Sequence, residues 1–233
     1  MNLPKKRTFL HFLNKHELTA TLKKVDAFSV STMLIVNAVP LYGVVVNHWD
    51  GVAVISLYLL ETVIIGVFHA LRMLYYRLSI ASPLKQQSPL FTILFFLFHY
   101  NFFVFVQSAL FFGLAESSVE GISEGFNVIE NFKLFVKEPY LISIYAFIVG
   151  QMAYSGREIF ITNTYENMPL NNYMFLPYTR IFIQQFVVIF GAFIYLFTGS
   201  MEAVVVLLII LKTAAEYLGL RYGEKWIVPK KAN

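Results

Sequence analysis

The most constraining feature of this sequence is the run LYLLETVIIGVFHALRMLYY at residues 57–76. It is almost wholly apolar and about 20 residues long, which is the length that an α-helix needs to cross the hydrocarbon core of a bilayer. Inside it lie one carboxylate, Glu61, and one imidazole, His69. Ionisable groups at that depth cost free energy unless they are paired or hydrated, so their presence indicates a specific partner or a function.

The composition of the whole chain is that of a membrane protein. Hydrophobic residues make up 58% of the 233 residues and charged residues 14%, whereas soluble domains carry about 25% charged residues. We therefore predict an all-α integral membrane protein. The chain contains no cysteine, which excludes disulfides, thiolate metal sites and a cysteine nucleophile.

Apolar segments separated by turn residues predict a bundle of six transmembrane helices. The predicted spans are residues 28–46, 52–76, 90–114, 140–160, 178–197 and 203–222. We expect one transmembrane domain over residues 26–222, followed by a basic cytoplasmic tail at 223–233. The basic segment at 1–25 is expected to form an amphipathic helix on the membrane surface, with a loose solvated tail as the alternative.

The distribution of lysine and arginine predicts the orientation of the bundle. In the six-span arrangement nearly all of these residues fall on one side of the membrane, and the opposite side keeps only Lys133 and Lys137. We therefore expect both termini in the cytoplasm and the protein in the cell membrane as a multi-pass protein.

Two connections between spans are long enough to have structure of their own. In the acidic outer loop at 115–138, four apolar residues recur at helical spacing, namely Val128, Ile129, Phe132 and Phe135. They predict an interfacial helix at 127–137, and a helix that binds a protein partner is the alternative. The inner loop at 161–176 is rich in Asn and Tyr and is expected to be an ordered cytoplasmic lid.

Polar side chains inside the predicted spans lie at similar depths, roughly 9 to 15 Å from the cytoplasmic ends of their helices. They are His69, His99, Gln151, Gln184, Gln185, Lys212 and Glu216, with Glu61 near the midplane and Arg180 one turn inside the fifth span. The shared depth predicts a polar pocket between the helices that is open to the cytoplasm. For each residue the alternative is a structural interhelical hydrogen bond or ion pair.

Local spacing adds three expectations. Lys212 and Glu216 are four residues apart and are expected to pair on one helix face. Arg157 and Glu158 are adjacent, point in different directions, and therefore need other partners. Two glycines inside spans are expected to permit close helix approach, Gly66 and Gly156.

Five stretches resemble a prokaryotic membrane-protein family catalogued as a domain of unknown function. They are NAVPLYGVVV, LYLLETVIIGVFHALRML, FFLFHYNFF, PYTRIFIQQFVVIFGAFI and LIILKTAAEYLG. The resemblance implies a polytopic bundle with an intramembrane histidine–carboxylate pattern, and it implies no activity. The family positions correspond here to Glu61, His99, Arg180, Lys212 and Glu216. Further histidines of the family are replaced in this chain by Gln107, Gln151, Gln185 and Leu220, and the usual Asn of the second span is His69.

The sequence leaves the function open between several classes. A buried pocket that binds a small polar ligand or a divalent metal (zinc, iron or manganese) would use His69, His99 and Glu216 as metal ligands. With an open coordination position such a site would suit an intramembrane hydrolase, although an HExxH motif is absent. Glu61 and Glu216 differ in depth by about 10 Å, so we expect no single ion to contact both.

Two further classes need no metal. A proton- or ion-coupled transporter would use Glu61, His69 and the Lys212–Glu216 pair as a relay. A non-catalytic scaffold would bind a protein partner through the outer helix at 127–137. Beyond the lipid bilayer we expect no nucleic-acid partner, and neither the oligomeric state nor an enzymatic activity is predicted.

Overall fold

A computed structural model describes residues 27–79, 89–116, 120–162, 170–178, 181–182 and 201–227. The regular elements in these ranges are all helices: α1 (Ala27–Val45), α2 (Gly51–Ser79), α3 (Pro89–Ala115), α4 (Val128–Lys133), α5 (Leu141–Arg157), α6 (Leu170–Met174) and α7 (Met201–Ile227). α5 continues as a π-helical turn over Glu158–Thr162. The predicted all-α class is confirmed.

Three helices are long and apolar enough to cross a membrane, and they match the first three predicted spans: Ala27–Val45, Gly51–Leu78 and Leu90–Ala115. α5 covers most of the predicted fourth span, and α7 contains the sixth. Most of the predicted fifth span at 178–197, the segment at 1–25 and the end of the tail lie outside the described residues. The number of spans and the location of the termini therefore stay predictions.

α2 is the central helix of the described chain. In its apolar stretch 72% of the residues are buried, against 22% in α1 and 28% in α3. α1, α3, α5, α6 and α7 all pack against α2. The outward sides of α1 and α3 carry exposed large apolar residues such as Ile35, Phe91 and Phe98, as is expected of helices that contact lipid.

A tight turn joins α1 to α2. The Trp49 ring lies directly on Gly43, where any Cβ atom would overlap the ring, and the Trp49 amide donates to the Gly43 carbonyl at 3.0 Å. The Asp50 carboxylate accepts a hydrogen bond of 2.7 Å from the Val52 amide, which satisfies one of the unpaired amides that begin α2. The turn therefore fixes how α1 enters the bundle.

Two apolar cores lie at the two ends of α2. The first joins the beginning of α2 to the end of α3, the outer loop, α5 and α7, and includes Val52, Leu57, Phe112, Phe135, Phe147 and Val205. The second joins the end of α2 to the first half of α3 and to α6, and includes Met73, Phe96, Tyr100, Leu170 and Tyr173. Glu61 lies on α2 between these two cores.

The predicted outer helix is shorter than expected, because α4 covers only residues 128–133. Val128 and Phe135 are buried as predicted, but Ile129 is 73% exposed. Ile129 follows Val128 by one residue, which is about 100° around a helix, so both cannot face the same core. A protein partner for residues 127–137 stays a prediction.

The two glycines gave opposite outcomes. At Gly66 a Cβ atom would lie 2.5 Å from Cε1 of Tyr100, so this glycine does permit close contact between α2 and α3. At Gly156 no described residue lies within 4 Å of the same position, so the described part of the chain shows no close helix approach there.

Candidate functional site: two buried polar clusters

Four polar residues from three helices form one cluster inside the bundle. Glu61 comes from α2, Lys212 and Glu216 from α7, and Asn37 from α1; we call them the Lys212 cluster. The Lys212 ammonium Nζ lies 3.0 Å from Glu61 Oε2 and 3.0 Å from Glu216 Oε1. One lysine is thus shared by carboxylates that belong to two different helices.

Asn37 holds the other side of this lysine. Its Nδ2 donates to Glu216 Oε2 at 2.7 Å and to the Met33 carbonyl at 3.0 Å, and its Oδ1 accepts a hydrogen bond from Lys212 Nζ. Because the amide both donates and accepts, Asn37 aligns Lys212 with Glu216 and ties α1 to α7.

The cluster is poorly accessible to solvent. The exposed fraction of the side chain is 3% for Glu61, 10% for Lys212 and 16% for Glu216. The ring centroid of Tyr58, one helical turn before Glu61, lies 4.6 Å from Lys212 Nζ, so the aromatic face adds a cation–π contact. Charges in such a setting are stable only when they are paired.

The Lys212–Glu216 pair was predicted correctly, but the separation of Glu61 from Glu216 was overestimated. The Lys212 ammonium contacts both carboxylates. The predicted difference of about 10 Å in depth used only the rise along the helix axis and left out the reach of the side chains. A long lysine side chain on α7 brings the two carboxylates together.

A second cluster connects α2 to the end of α5 and to α6. Arg72 Nε lies 3.2 Å from Glu158 Oε2, and an Arg72 guanidinium nitrogen donates to Ser155 Oγ at 2.8 Å. The Arg72 guanidinium carbon lies 5.0 Å from the centre of the Tyr154 ring. With His69 and Tyr173, these residues form what we call the Arg72 cluster.

Both ring nitrogens of His69 are used in this cluster. Nε2 lies 3.0 Å from the Tyr173 carbonyl oxygen, and Nδ1 lies 3.1 Å from an Arg72 guanidinium nitrogen. A carbonyl only accepts and a guanidinium only donates, so Nε2 carries the proton and Nδ1 accepts. The imidazole also stacks on the Tyr173 ring, with 4.7 Å between centroids.

Tyr173 closes the Arg72 cluster from the segment between the predicted fourth and fifth spans. Its hydroxyl donates to Glu158 Oε1 at 2.8 Å. Burial, with the nearby Glu158 carboxylate, raises the pKa of the Tyr173 phenol above its usual value. The phenol therefore stays protonated and remains a donor.

Sequence reasoning missed most of the Arg72 cluster. It assigned Arg72 to the basic side of the membrane, although its place three residues after His69 puts both on one helix face. The expectation that Arg157 and Glu158 have separate partners is confirmed, since Arg157 donates to Ser29 Oγ at 3.1 Å and Glu158 pairs with Arg72.

The remaining predicted site residues lie elsewhere. His99 Nδ1 is 2.8 Å from the Tyr178 hydroxyl, and its ring packs between Phe95 and Phe103. Gln151 is partly exposed on α5. Three residues lie outside the described part of the chain, namely Arg180, Gln184 and Gln185.

The structure does not bring the predicted metal ligands together. Among the described residues, no three His, Asp or Glu side chains are close enough to hold a metal ion. His69 belongs to the Arg72 cluster, Glu216 to the Lys212 cluster, and His99 contacts Tyr178. The described polar residues therefore form separate clusters rather than one layer around a metal.

The fold and these clusters define a class: an all-α protein with helices that can cross a membrane and ionisable side chains in its interior. A family model matches residues 19–232, and the chain belongs to this family, a family of unknown function named DUF6498. The predicted membership of a family of unknown function is thereby confirmed. No curated protein and no solved structure matches the chain significantly.

Proposed function

We propose that this chain is a proton- or ion-coupled membrane transporter with six spans and cytoplasmic termini, and that the Lys212 cluster is its ion-responsive site. The topology is supported by the one-sided distribution of Lys and Arg. It is also supported by three apolar helices of spanning length and by the agreement of α5 and α7 with two further predicted spans.

The observation that carries the proposal is the sharing of Lys212. Its ammonium is equally distant, at 3.0 Å, from Glu61 on α2 and from Glu216 on α7. A cation or proton that reaches one carboxylate weakens the attraction of that carboxylate for Lys212 and shifts the lysine toward the other. Since the two carboxylates belong to different helices, this exchange changes how α2 is held to α7, as a coupling element requires.

The competing classes have less support from the described residues. A metal-dependent hydrolase needs a ligand set, and His69, His99 and Glu216 are engaged in different contacts. Ionisable residues inside a membrane protein most often mark ion or substrate paths. The Lys212 cluster fits that role without a metal.

Charge displacement in proteoliposomes tests the proposal. The purified protein is reconstituted and adsorbed on a solid-supported membrane, and the pH or the Na⁺ or K⁺ concentration is changed rapidly. We expect a transient displaced charge for at least one of these cations in wild type, and its loss in Glu61→Gln. Absence of displaced charge in wild type for all three, or an unchanged signal in Glu61→Gln, would overturn the proposal.

Glu130→Gln is the matched control. Glu130 also pairs with a lysine, because Lys133 Nζ lies 2.6 Å from Glu130 Oε1. Both side chains of that pair are exposed, at 64% and 65%, so the substitution removes a carboxylate from an ion pair outside the core. Its displaced charge should equal that of wild type.

A further inference from the structure

Residues 170–178 are attached to the helix bundle at two points. Near one end, Tyr173 contacts His69 through its carbonyl oxygen and Glu158 through its hydroxyl. At the other end, the Tyr178 hydroxyl lies 2.8 Å from His99 Nδ1 on α3. Three elements are thereby joined through one short segment: α2, the π-helical turn after α5, and α3.

This segment covers the end of α2 that lies beyond Glu61. Leu170, Tyr173 and Met174 are buried against the second apolar core, together with Met73 and Phe96. The Tyr173 ring stacks on His69. His69 is eight residues after Glu61, about 12 Å further along the helix. The segment therefore covers His69 and packs on the half of α2 that follows Glu61.

We propose that residues 170–178 form a gate over the Lys212 cluster and that the hydrogen bond from Tyr173 to Glu158 is its latch. The gate closes when the Tyr173 hydroxyl reaches Glu158 Oε1, a bond of 2.8 Å to a carboxylate that also pairs with Arg72. Hydrogen bonds to charged groups are stronger than those between neutral groups. The π-helical turn that begins at Glu158 lies where the chain leaves α5, so movement there shifts the acceptor of the latch.

The hydrogen bond from Tyr173 to Glu158 can be removed while the other contacts of Tyr173 are kept. Tyr173→Phe deletes the hydroxyl and keeps the aromatic ring that stacks on His69, and it keeps the backbone carbonyl that His69 contacts. The loss of one bond to a charged group corresponds to roughly a tenfold or larger change in an opening equilibrium. The proposal is independent of which ion the cluster binds.

Cysteine accessibility measures the opening directly, because the chain contains no cysteine. Single cysteines are placed at Met73, under the segment, and at Thr62, beside Glu61; both side chains are fully buried. We expect a membrane-impermeant thiol reagent to label both about tenfold faster or more in a Tyr173→Phe background than with Tyr173 present.

Ser56→Cys is the matched control for Thr62→Cys. Both hydroxyls are fully buried on α2, and each donates to the carbonyl four residues earlier, at 2.7 Å for Ser56 and 2.9 Å for Thr62. Ser56 lies in the half of α2 that belongs to the first core, away from residues 170–178, so its labelling rate should not change. A parallel increase at Ser56 would indicate general unfolding and overturn the proposal.

Two other outcomes also overturn the proposal. Equal labelling at Met73 with and without the Tyr173 hydroxyl would show that the bond to Glu158 is no latch. Faster labelling at Met73 but not at Thr62 would show that the segment moves without guarding the Lys212 cluster. Failure of the transport proposal is separate, because it is measured by displaced charge rather than by labelling.

Discussion

Arg72 and Glu158 are both buried, and they pair across α2 and the π-helical turn. Such a pair does not have to stabilise the fold relative to apolar residues, because desolvation offsets much of the attraction between the charges. Loss of one partner is different, since it leaves a charge in the protein interior without its main counterion. The pair therefore contributes more to the alignment of α2 with the end of α5 than to the free energy of folding.

We predict that Arg72→Leu and Glu158→Leu each lower stability by about 3–5 kcal/mol, and that the double variant loses less than the sum of the two. Thermal unfolding in detergent, analysed as a double-mutant cycle, measures this coupling. Lys133→Ala removes a partner from an exposed pair and should cost about 1 kcal/mol or less. Additive losses for Arg72 and Glu158 would contradict the assignment of the pair.

Gln107 is buried, and neither polar atom of its amide has a hydrogen-bond partner among the described residues. An unsatisfied buried polar group costs roughly 1–3 kcal/mol, and Met has a similar shape without that cost. Gln107→Met should therefore raise the Tm.

Asn131 is a buried amide whose hydrogen bonds are satisfied, so the effect of replacing it on the Tm should be opposite to that of replacing Gln107. It is also buried, but its side chain bonds to Ser123 and to the Glu124 carbonyl. Asn131→Leu should therefore lower the Tm, because the partners in the outer loop lose their bonds. The same direction of change for Gln107→Met and Asn131→Leu would refute this explanation.

At the scale of helices, the long apolar segments could be predicted closely from the sequence. α2 begins at Gly51 and extends to Ser79, and the prediction placed a span at 52–76 because the apolar run there is continuous. α4 was predicted too long, because its spacing along the sequence does not show how the outer loop packs on α3, where Phe112 contacts both Phe132 and Phe135. The apolar pattern of the sequence predicts that a helix forms, whereas the exact ends of a short helix depend on its tertiary contacts.

The candidate site was less predictable than the helices. Sequence spacing identified the pair on one helix, Lys212 and Glu216, because both partners share a face. It could not identify Asn37 or Glu158 as partners, because those contacts join residues far apart in the chain. The depth rule grouped His69 with Glu216 although they face different neighbours. Depth gives the position of a residue along the membrane normal only, and two residues at one depth can still lie far apart in the membrane plane.

The contact between α2 and α3 gives a prediction at this scale. Gly66→Ala places a Cβ atom 2.5 Å from the Tyr100 ring, and the buried ring must shift, at a cost of about 1–3 kcal/mol. Gly156→Ala meets no atom of the described residues within 4 Å and should gain about 0.5–1 kcal/mol from better helix propensity. Thermal unfolding of both variants checks the contrast, and a loss of Tm in both would contradict it.

At the scale of the whole molecule, α2 connects two polar clusters that have different structural roles. The Arg72 cluster joins α2 to α5 and α6 at one end of the helix, next to the proposed gate. The Lys212 cluster joins α2 to α1 and α7 between the two apolar cores. This order along α2 places the proposed ion-responsive site behind the proposed gate.

The six-span topology is tested by cysteine accessibility from the two sides of the membrane. We predict that Asn2→Cys and Lys230→Cys are labelled from the cytoplasmic side and Lys137→Cys from the opposite side. Three predicted spans separate residues 137 and 230, so loss of one of them would place both on the same side. Labelling of all three cysteines from one side would contradict the six-span arrangement.

The measurement that tests the central claim most directly is the displaced charge after a pH, Na⁺ or K⁺ jump in Glu216→Gln beside Glu61→Gln. Glu216→Gln leaves Glu61 as the only carboxylate of the pair beside Lys212, and Glu61→Gln leaves only Glu216. If the function depends on exchange of Lys212 between two carboxylates, both variants lose the displaced charge that wild type shows. A wild-type signal in either variant would contradict this account.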